Sequence, residues 1–134
     1  MAYNILIVDD SETIRAVIAK NLKMTGLPLG EIFMAENGKE ALEKMNASWI
    51  DIVFADINMP VMTGIEMVDK MAESGQISTT PVVIISTEGS QTRIEELISK
   101  GVRAFLRKPI TPELFKEVID KILGTAVENQ NEPN

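Results

Sequence analysis

Short apolar runs rich in β-branched residues alternate along the chain with stretches in which apolar residues recur at helical spacing. The runs cover residues 4–8, 31–35, 50–55, 81–85 and 104–106. Runs of this length predict buried strands, and the stretches between them predict amphipathic helices. Because strands that alternate with helices are typical of βαβ units, the pattern predicts an α/β protein with a doubly wound, five-stranded parallel sheet.

Each predicted helix places an apolar stripe on the sheet. The stripes are Ile14, Val17, Ile18 and Leu22, then Ile65, Val68 and Met71, then Ile94, Leu97 and Ile98, then Leu114, Val118 and Ile122, with a shorter helix around Ala41, Leu42 and Met45. Several methionines also fall at core spacing and are predicted to fill gaps there, namely Met24, Met34, Met45, Met67 and Met71. Thr63 with Glu66 predicts a capping box, and Thr111 before Pro112 predicts an N-cap with proline at the first helical position.

The composition supports a single domain and removes several kinds of chemistry. A chain of 134 residues, 45% hydrophobic and 25% charged, is typical of one folded domain. Residues 125–134 are polar and carry no pattern, so we predict one domain over residues 1–124 and a flexible C-terminal tail over residues 125–134. The sequence contains no Cys and no His, which excludes thiolate catalysis, disulfides, zinc fingers and histidine general bases.

Charge and hydropathy argue against nucleic acid and membranes as partners. Thirteen Lys and Arg against twenty Asp and Glu give a net charge of −7, which repels phosphate backbones and anionic lipid. The chain starts without the basic region and apolar length of a secretion signal, and no segment approaches the roughly 18 apolar residues of a membrane span. We therefore expect a cytoplasmic protein that does not insert into membranes.

Polar side chains gather where the predicted strands end. They are Asp9, Asp10 and Ser11 after the first strand, Asp56 and Asn58 after the third, Ser86, Thr87 and Glu88 after the fourth, and Lys108 after the fifth. Taken singly, each is an ordinary capping, turn or surface residue, and the aspartate pair is typical of a helix N-terminus. Because the carboxyl ends of parallel strands meet at one sheet edge, we expect them to converge.

Three converging carboxylates predict a site for a divalent cation. Their mutual repulsion is tolerable when a cation lies among them, and an all-oxygen ligand set suits Mg²⁺ rather than zinc or copper. Asp56 is then the candidate nucleophile, because a carboxylate can take a phosphoryl group to form an acyl phosphate. Lys108 would neutralise the phosphoryl oxygens together with the metal.

These residues, in this order and spacing from Asn4 to about Leu123, resemble the receiver domain of the two-component response regulators, in particular the single-domain CheY-like kind. The resemblance implies the flavodoxin-like (βα)5 fold with strand order 2-1-3-4-5. It also implies a phosphoacceptor signalling switch whose only chemistry is its own phosphorylation and dephosphorylation.

The resemblance implies a role for each residue of the cluster. Asp9, Asp10, Asp56 and the backbone carbonyl of Asn58 would hold Mg²⁺, and Asp56 would be the phosphoacceptor. Two further residues of the family pattern would complete the switch, namely Ser86 as the hydroxyl that moves onto the phosphoryl group and Phe105 as the aromatic whose rotamer follows it. Lys108 would contact a phosphoryl oxygen, and the peptide before Pro109 would be cis.

The sequence departs from the family pattern at the fourth strand end. Ser86 stands where Thr is common and keeps the hydroxyl. Thr87 stands where Ala or Gly is usual, and its branched side chain is expected to crowd access to Asp56 and slow phosphotransfer. Asn58 and Glu88 flank the path of an attacking water and are expected to tune dephosphorylation.

The resemblance also implies the partners. Since the chain has no His, the phosphoryl group would come from a sensor histidine kinase. A downstream protein target would bind the surface from about Ser90 to Leu123, and a monomer is expected. Chemotaxis is the most familiar pathway for this kind of protein, but a phosphorelay intermediate or a phosphate sink fits equally.

Two other classes of protein share parts of this pattern. A Mg²⁺-dependent aspartyl-phosphate phosphatase of the haloacid dehalogenase type also uses a strand-end Asp, but its motif has a second Asp at the position where this chain has Asn58. A flavodoxin-type carrier of flavin mononucleotide fits the fold, yet its phosphate would face Asp9 and Asp10. Turnover of a small phosphoester and bound flavin absorbance would distinguish these alternatives.

Overall fold

The structure, a computed structural model, describes residues 2–87 and 91–124 and contains a five-stranded parallel sheet flanked by helices. The strands are β1 (Tyr3–Val8), β2 (Leu29–Ala35), β3 (Ile52–Ala55), β4 (Val82–Ser86) and β5 (Ala104–Arg107). The helices are α1 (Glu12–Lys23), α2 (Gly38–Ala47), α3 (Gly64–Ser74), α4 (Gln91–Ser99) and α5 (Pro112–Ile119), with a 3-10 turn at Gln76–Ser78 and a π-helical turn at Asp120–Gly124. The order across the sheet is β2-β1-β3-β4-β5, which confirms the predicted fold and strand order.

Alternate residues of the central strands supply two separate cores, one on each face of the sheet. Leu6, Val53 and Ile84 face the core that α2, α3 and α4 cover. Ile7 and Phe54 lie on the opposite face, under α1 and α5. Because each central strand is buried on both faces, its sequence is continuously apolar rather than alternating, as expected for a doubly wound sheet.

The helix stripes were predicted too broadly at their margins. Val17 in α1 is 50% exposed and Ile98 in α4 is 45% exposed, although both were assigned to the sheet-facing stripe. Phe115 was left out of the α5 stripe, yet it is fully buried and packs edge-to-face on Phe54 with 5.0 Å between ring centroids. A helix lying on a sheet buries a narrow stripe, so the flanking apolar position remains exposed.

Two of the predicted core methionines are exposed. Met24 follows the last turn of α1 as its C-cap and is 63% exposed, and Met34 lies on the edge strand β2 and is 39% exposed. The other predicted gap-fillers, Met45, Met67 and Met71, are buried. Edge strands and helix ends lack a covering layer, which the local sequence pattern does not reveal.

The helix starts were predicted well. Thr63 accepts a hydrogen bond from the Glu66 backbone while the Glu66 side chain accepts one from the Thr63 backbone, which confirms the capping box. Thr111 caps α5 ahead of Pro112. The predicted tail over residues 125–134 lies outside the described residues, so the domain boundary at 124 stays a prediction. Over the described ranges, 2–87 and 91–124, the structure has no helix with the length and hydropathy needed to cross a bilayer.

Candidate functional site

The candidate site lies at the carboxyl edge of the sheet, where β1 ends in two aspartates of different environments. Asp9 is 2% exposed, and its Oδ1 accepts a hydrogen bond from the Ser11 backbone N–H at 2.9 Å. Ser11 is the N-cap of α1, because its Oγ accepts from the Ile14 N–H. The aspartate pair is therefore not the helix cap, and Asp10 is exposed to solvent.

Asp56 follows β3 and is held by the backbone on both sides. Its N–H donates to the Val8 carbonyl at 2.9 Å, and its Oδ1 accepts from the Ile57 N–H at 2.7 Å. A side chain at Gly64, the first residue of α3, would collide with the Asp56 carbonyl oxygen. Gly64 thus allows α3 to approach the loop that carries Asp56, a requirement that the sequence analysis missed.

Lys108 reaches into the site from the end of β5. Its Nζ lies 3.4 Å from Asp9 Oδ2 and 3.8 Å from Asp56 Oδ2. Its backbone N–H donates to the Ser86 carbonyl at 3.0 Å, which ties the ends of β4 and β5 together. The Lys108–Pro109 peptide bond is cis, as the resemblance implied.

Three carboxylates converge at this edge as predicted. One oxygen each from Asp9, Asp10 and Asp56 lies within 4.8 Å of the others. Three formal negative charges face one lysine, and all donors are oxygen, a set that fits a hard divalent cation such as Mg²⁺. Asn58 lies in the exposed loop after Asp56, and its role as a carbonyl ligand stays a prediction.

The pKa of Asp56 is raised above its ordinary value. Burial of the carboxyl group is the main cause, because it penalises the charged form, and the charges of Asp9 and Asp10 add to it. Lys108 and the hydrogen bond from Ile57 act in the opposite direction but do not cancel the effect. Without a cation, the site therefore disfavours the ionised form of its candidate nucleophile.

The predicted switch residues Ser86 and Phe105 lie on β4 and β5. Ser86 is the last residue of β4 and is 2% exposed, and Phe105 on β5 is half-buried against the core under α3 and α4. Thr87 follows Ser86 and is exposed at the mouth of the site. Glu88, the predicted dephosphorylation residue, lies outside the described residues. The individual roles of Ser86, Phe105 and Thr87 stay predictions.

An apolar groove runs beside the site, between α1 and the segment after β5. Its volume is about 350 Å³, and its lining residues include Ile14, Val17, Thr87, Lys108 and Pro109. Val17, which the sequence analysis assigned to the core, instead forms part of this groove. Its exposure leaves an apolar surface next to the carboxylate cluster.

Arg15 is a second residue that the sequence analysis missed. It lies in α1, four residues after the N-cap Ser11, and its Nη1 donates to the Asp9 carbonyl oxygen at 2.6 Å. Its Nε is buried and has no hydrogen-bond partner in the described part of the chain. The available signal was an arginine in the first turn of the predicted helix, five residues after Asp10.

The protein is thus an α/β domain whose parallel sheet carries three carboxylates and a lysine at its carboxyl edge. The family model of the response regulator receiver domain matches residues 5–120, and the chain belongs to that family. It is a CheY-like response regulator receiver, and the members of this family are phosphoacceptor signalling switches. This membership confirms the stated resemblance and does not support the phosphatase alternative.

Individual relatives agree with this membership. The chain is 34% identical over 122 residues to the chemotaxis protein CheY1 of Helicobacter pylori, an alignment that covers 90% of this chain and 97% of that protein. It is similar to the structure of the Vibrio cholerae chemotaxis protein CheY4, with a TM-score of 0.80, 33% identity, and coverage of 92% and 100%. It is also similar to a chain of the CheX-CheY-BeF3-Mg²⁺ complex of Borrelia burgdorferi, with a TM-score of 0.80, 28% identity, and coverage of 90% of each chain.

Proposed function

We propose that this protein accepts a phosphoryl group on Asp56 from a histidine kinase, in a Mg²⁺-dependent reaction, and thereby changes its binding to a downstream protein. The convergence of Asp9, Asp10 and Asp56 around Lys108 is the observation that carries the proposal. The sheet edge thus brings together a nucleophile, two further carboxylates and the Lys108 ammonium group. This set suits phosphoryl transfer, which is catalysed mainly by positioning and charge neutralisation.

Asp56 is arranged to attack through one particular oxygen. Its Oδ1 is engaged by the Ile57 N–H, which leaves Oδ2, 3.8 Å from Lys108 Nζ, as the attacking atom. The phosphorus–nitrogen bond of the donor phosphohistidine breaks as the phosphorus–oxygen bond to Oδ2 forms, and the imidazole leaves with the electron pair. The Lys108 ammonium stabilises the negative charge on the transferred group.

Asp9, Asp10, Asp56 and the Asn58 carbonyl would hold the magnesium ion. When bound, the ion supplies positive charge for the phosphoryl oxygens and favours the ionised form of Asp56. Asp9 also anchors Lys108 at 3.4 Å, so the same buried carboxylate serves the metal and the lysine.

The switch after phosphorylation runs through the ends of β4 and β5. The Ser86 hydroxyl would bond to the phosphoryl group, and Phe105 would change rotamer into the space that is released. Lys108 is bonded through its backbone to Ser86, so both residues would respond together. The target would bind the surface from Ser90 to Leu123, while Thr87 limits access and Asn58 and Glu88 set the lifetime of the phosphorylated state.

The proposed partners are a sensor histidine kinase and a downstream protein. These 134 residues contain no His, so the phosphohistidine would be supplied by the kinase, and the apolar groove next to Lys108 and Thr87 offers that donor a contact surface. The net charge of −7 argues against nucleic acid. A monomeric, cytoplasmic protein acting in chemotaxis remains part of the proposal, supported by relatives that are named chemotaxis proteins.

Incubation with a small acyl phosphate tests this function directly. We expect intact-mass spectrometry to show one added phosphoryl group on the wild-type protein with Mg²⁺ and none with EDTA. Asp56→Asn is the matched variant and is expected to remain unlabelled. Labelling of Asp56→Asn to the wild-type level, or labelling that does not depend on Mg²⁺, would overturn the proposal.

A further inference from the structure

Arg15 contacts the backbone of the candidate metal site rather than its carboxylates. Its Nη1 donates to the Asp9 carbonyl oxygen at 2.6 Å, and its own N–H is bonded to the Ser11 carbonyl in the first turn of α1. Among the described residues, the guanidinium forms no ion pair within 4.0 Å. Its position is therefore set by the helix and by this single peptide oxygen.

This hydrogen bond holds the peptide that joins Asp9 to Asp10. Because a peptide group is planar, a fixed carbonyl oxygen also fixes the nitrogen and Cα of the next residue. Asp9 has independent restraints, since its two carboxylate oxygens contact the Ser11 N–H and Lys108. Asp10 is exposed, so the direction of its carboxylate depends on the two peptides that flank it: the Asp9–Asp10 peptide that Arg15 holds, and the Asp10–Ser11 peptide, whose N–H donates to Asp9 Oδ1.

The buried part of the arginine argues against a purely structural role. Its Nε is buried without a hydrogen-bond partner, an arrangement that costs free energy. Lysine and glutamine also carry side-chain donors, but neither has an internal N–H group to bury. What arginine adds is a planar, rigid, permanently charged donor to the backbone that carries the carboxylate cluster.

We propose that Arg15 is a positioning residue of the phosphorylation site: by holding the Asp9–Asp10 peptide, it sets the affinity of the site for Mg²⁺. The inference rests on the proposed function, in which Asp10 is a ligand of that metal. Partners that orient metal ligands typically change the affinity about 10–100-fold when they are removed. Arg15 would differ from the usual case in acting through the backbone of its ligand.

Calorimetric titration with Mg²⁺ tests this role without any phosphorylation. We expect Arg15→Met, which removes the donor and the charge, to raise the Kd for Mg²⁺ by about 10–100-fold. Arg15→Lys keeps a charged donor and is expected to recover most of the affinity, and Arg15→Gln keeps a neutral donor and is expected to recover part. Arg103→Met is the matched control, because it removes the same charge from an exposed position just before β5.

Urea unfolding of the same variants in EDTA separates positioning from structural support. If Arg15 were purely structural, Arg15→Met would lower the unfolding free energy of the metal-free protein and leave the Kd for Mg²⁺ unchanged. An unchanged Kd in Arg15→Met, or an equal change in Arg103→Met, would therefore overturn the inference. Should Arg15→Met fail to fold, an unchanged Kd in Arg15→Gln has the same meaning.

The proposed function has its own signature in this experiment. If the wild-type protein does not bind Mg²⁺, or Asp56→Asn binds it as tightly as wild type, the metal site itself is wrong and the role of Arg15 fails with it. If the wild type binds Mg²⁺, Asp56→Asn binds it more weakly and Arg15→Met binds it normally, only the role of Arg15 is wrong.

Discussion

At the residue scale, two adjacent aspartates have different tasks. Asp9 is buried, and both of its carboxylate oxygens have partners in Ser11 and Lys108, so it organises the site. Asp10 is exposed, and Ser11 rather than Asp10 caps α1. Asp10 therefore contributes charge to the cluster more than it contributes to the fold.

The Asp10→Asn variant distinguishes two roles of Asp10, a charged metal ligand and a support for the start of α1. Only the first role makes the effect of the substitution depend on Mg²⁺. Carboxylates about 5 Å apart repel by roughly 3 kcal/mol at an effective dielectric near 20, and solvent and salt reduce this for an exposed group. In EDTA we expect the variant to gain ~1 kcal/mol of unfolding free energy, because one repelling charge is gone. With millimolar Mg²⁺ the difference in unfolding free energy should shrink or change sign, because only the wild type gains the full free energy of Mg²⁺ binding.

Urea melts of both proteins, with EDTA and with Mg²⁺, make this comparison. A variant that is destabilised in EDTA and indifferent to Mg²⁺ would show that Asp10 supports the helix start and is not a metal ligand.

The raised pKa of Asp56 predicts a pH-dependent stability in the metal-free protein. A carboxyl group whose pKa is higher in the folded state than in the unfolded state stabilises the fold fully below its unfolded pKa, and this contribution is lost as the pH rises through the folded pKa. Burial, the main cause, acts only in the folded protein. In EDTA, the stability of wild type relative to Asp56→Asn should therefore fall as the pH rises from acid to neutral, above the ordinary pKa of an aspartate.

Urea unfolding of the two proteins across that range gives the result. We expect Asp56→Asn to be the more stable protein at neutral pH without metal. A difference that stays constant with pH would mean that Asp56 ionises in the folded protein as it does in the unfolded chain.

At the element scale, the loop between β3 and α3 carries the site and contains one strained residue. Val61 has a φ of 67°, and the Met62 N–H donates to the Pro60 carbonyl at 2.7 Å across it, which makes a tight γ-turn. The Met62 carbonyl accepts from the Gly38 N–H at the start of α2. The turn is therefore bonded to the start of α2, and a β-branched residue rarely adopts its backbone conformation.

Val61→Gly is expected to stabilise the protein by ~1 kcal/mol. Relief of the left-handed conformation gains about 1–3 kcal/mol, while the added freedom of glycine in the unfolded chain costs about 0.5–1 kcal/mol. Little packing is lost, since Val61 is 77% exposed. Urea unfolding of Val61→Gly and Val61→Ala measures the effect, and a glycine variant less stable than wild type would show that the turn is not strained.

Sequence patterning predicted the elements of this protein better than their margins. Strand and helix periods gave five of each, because a doubly wound sheet must be apolar on both faces of its central strands. The predicted burial was wrong where burial depends on a neighbouring element, as at Val17 beside the groove and Met34 on the edge strand. Convergence of the strand-end residues followed from parallel topology, whereas Arg15 and Gly64 act through backbone contacts that no residue pattern reveals.

At the scale of the whole molecule, the sheet joins the acidic site to the surface proposed for the target. The backbone bond from Lys108 to Ser86 lies where β4 and β5 end, and the segments before and after β5 form α4 and α5. A change at the phosphoryl group thus has a short covalent and hydrogen-bonded path to that surface.

Ser86→Ala and Lys108→Ala are expected to separate phosphorylation from this response. Both variants keep Asp56 and the metal ligands, so an acyl phosphate should still label them. Hydrogen–deuterium exchange in peptides spanning residues 91–123 is expected to change on phosphorylation of the wild type and to stay unchanged in either variant. A full wild-type response in one variant would show that its residue does not transmit the signal.

The identity of the phosphorylated side chain tests the central claim most directly. Borohydride reduces an aspartyl phosphate to homoserine, whereas phosphoserine and phosphothreonine do not react, so reduction after phosphorylation marks the acceptor permanently. Peptide mass spectrometry is expected to find homoserine at position 56 in the wild-type protein treated with acyl phosphate and Mg²⁺, and Asp at that position in the EDTA control. A stable phosphate on Ser86 or Thr87, with Asp56 unmodified, would contradict the account.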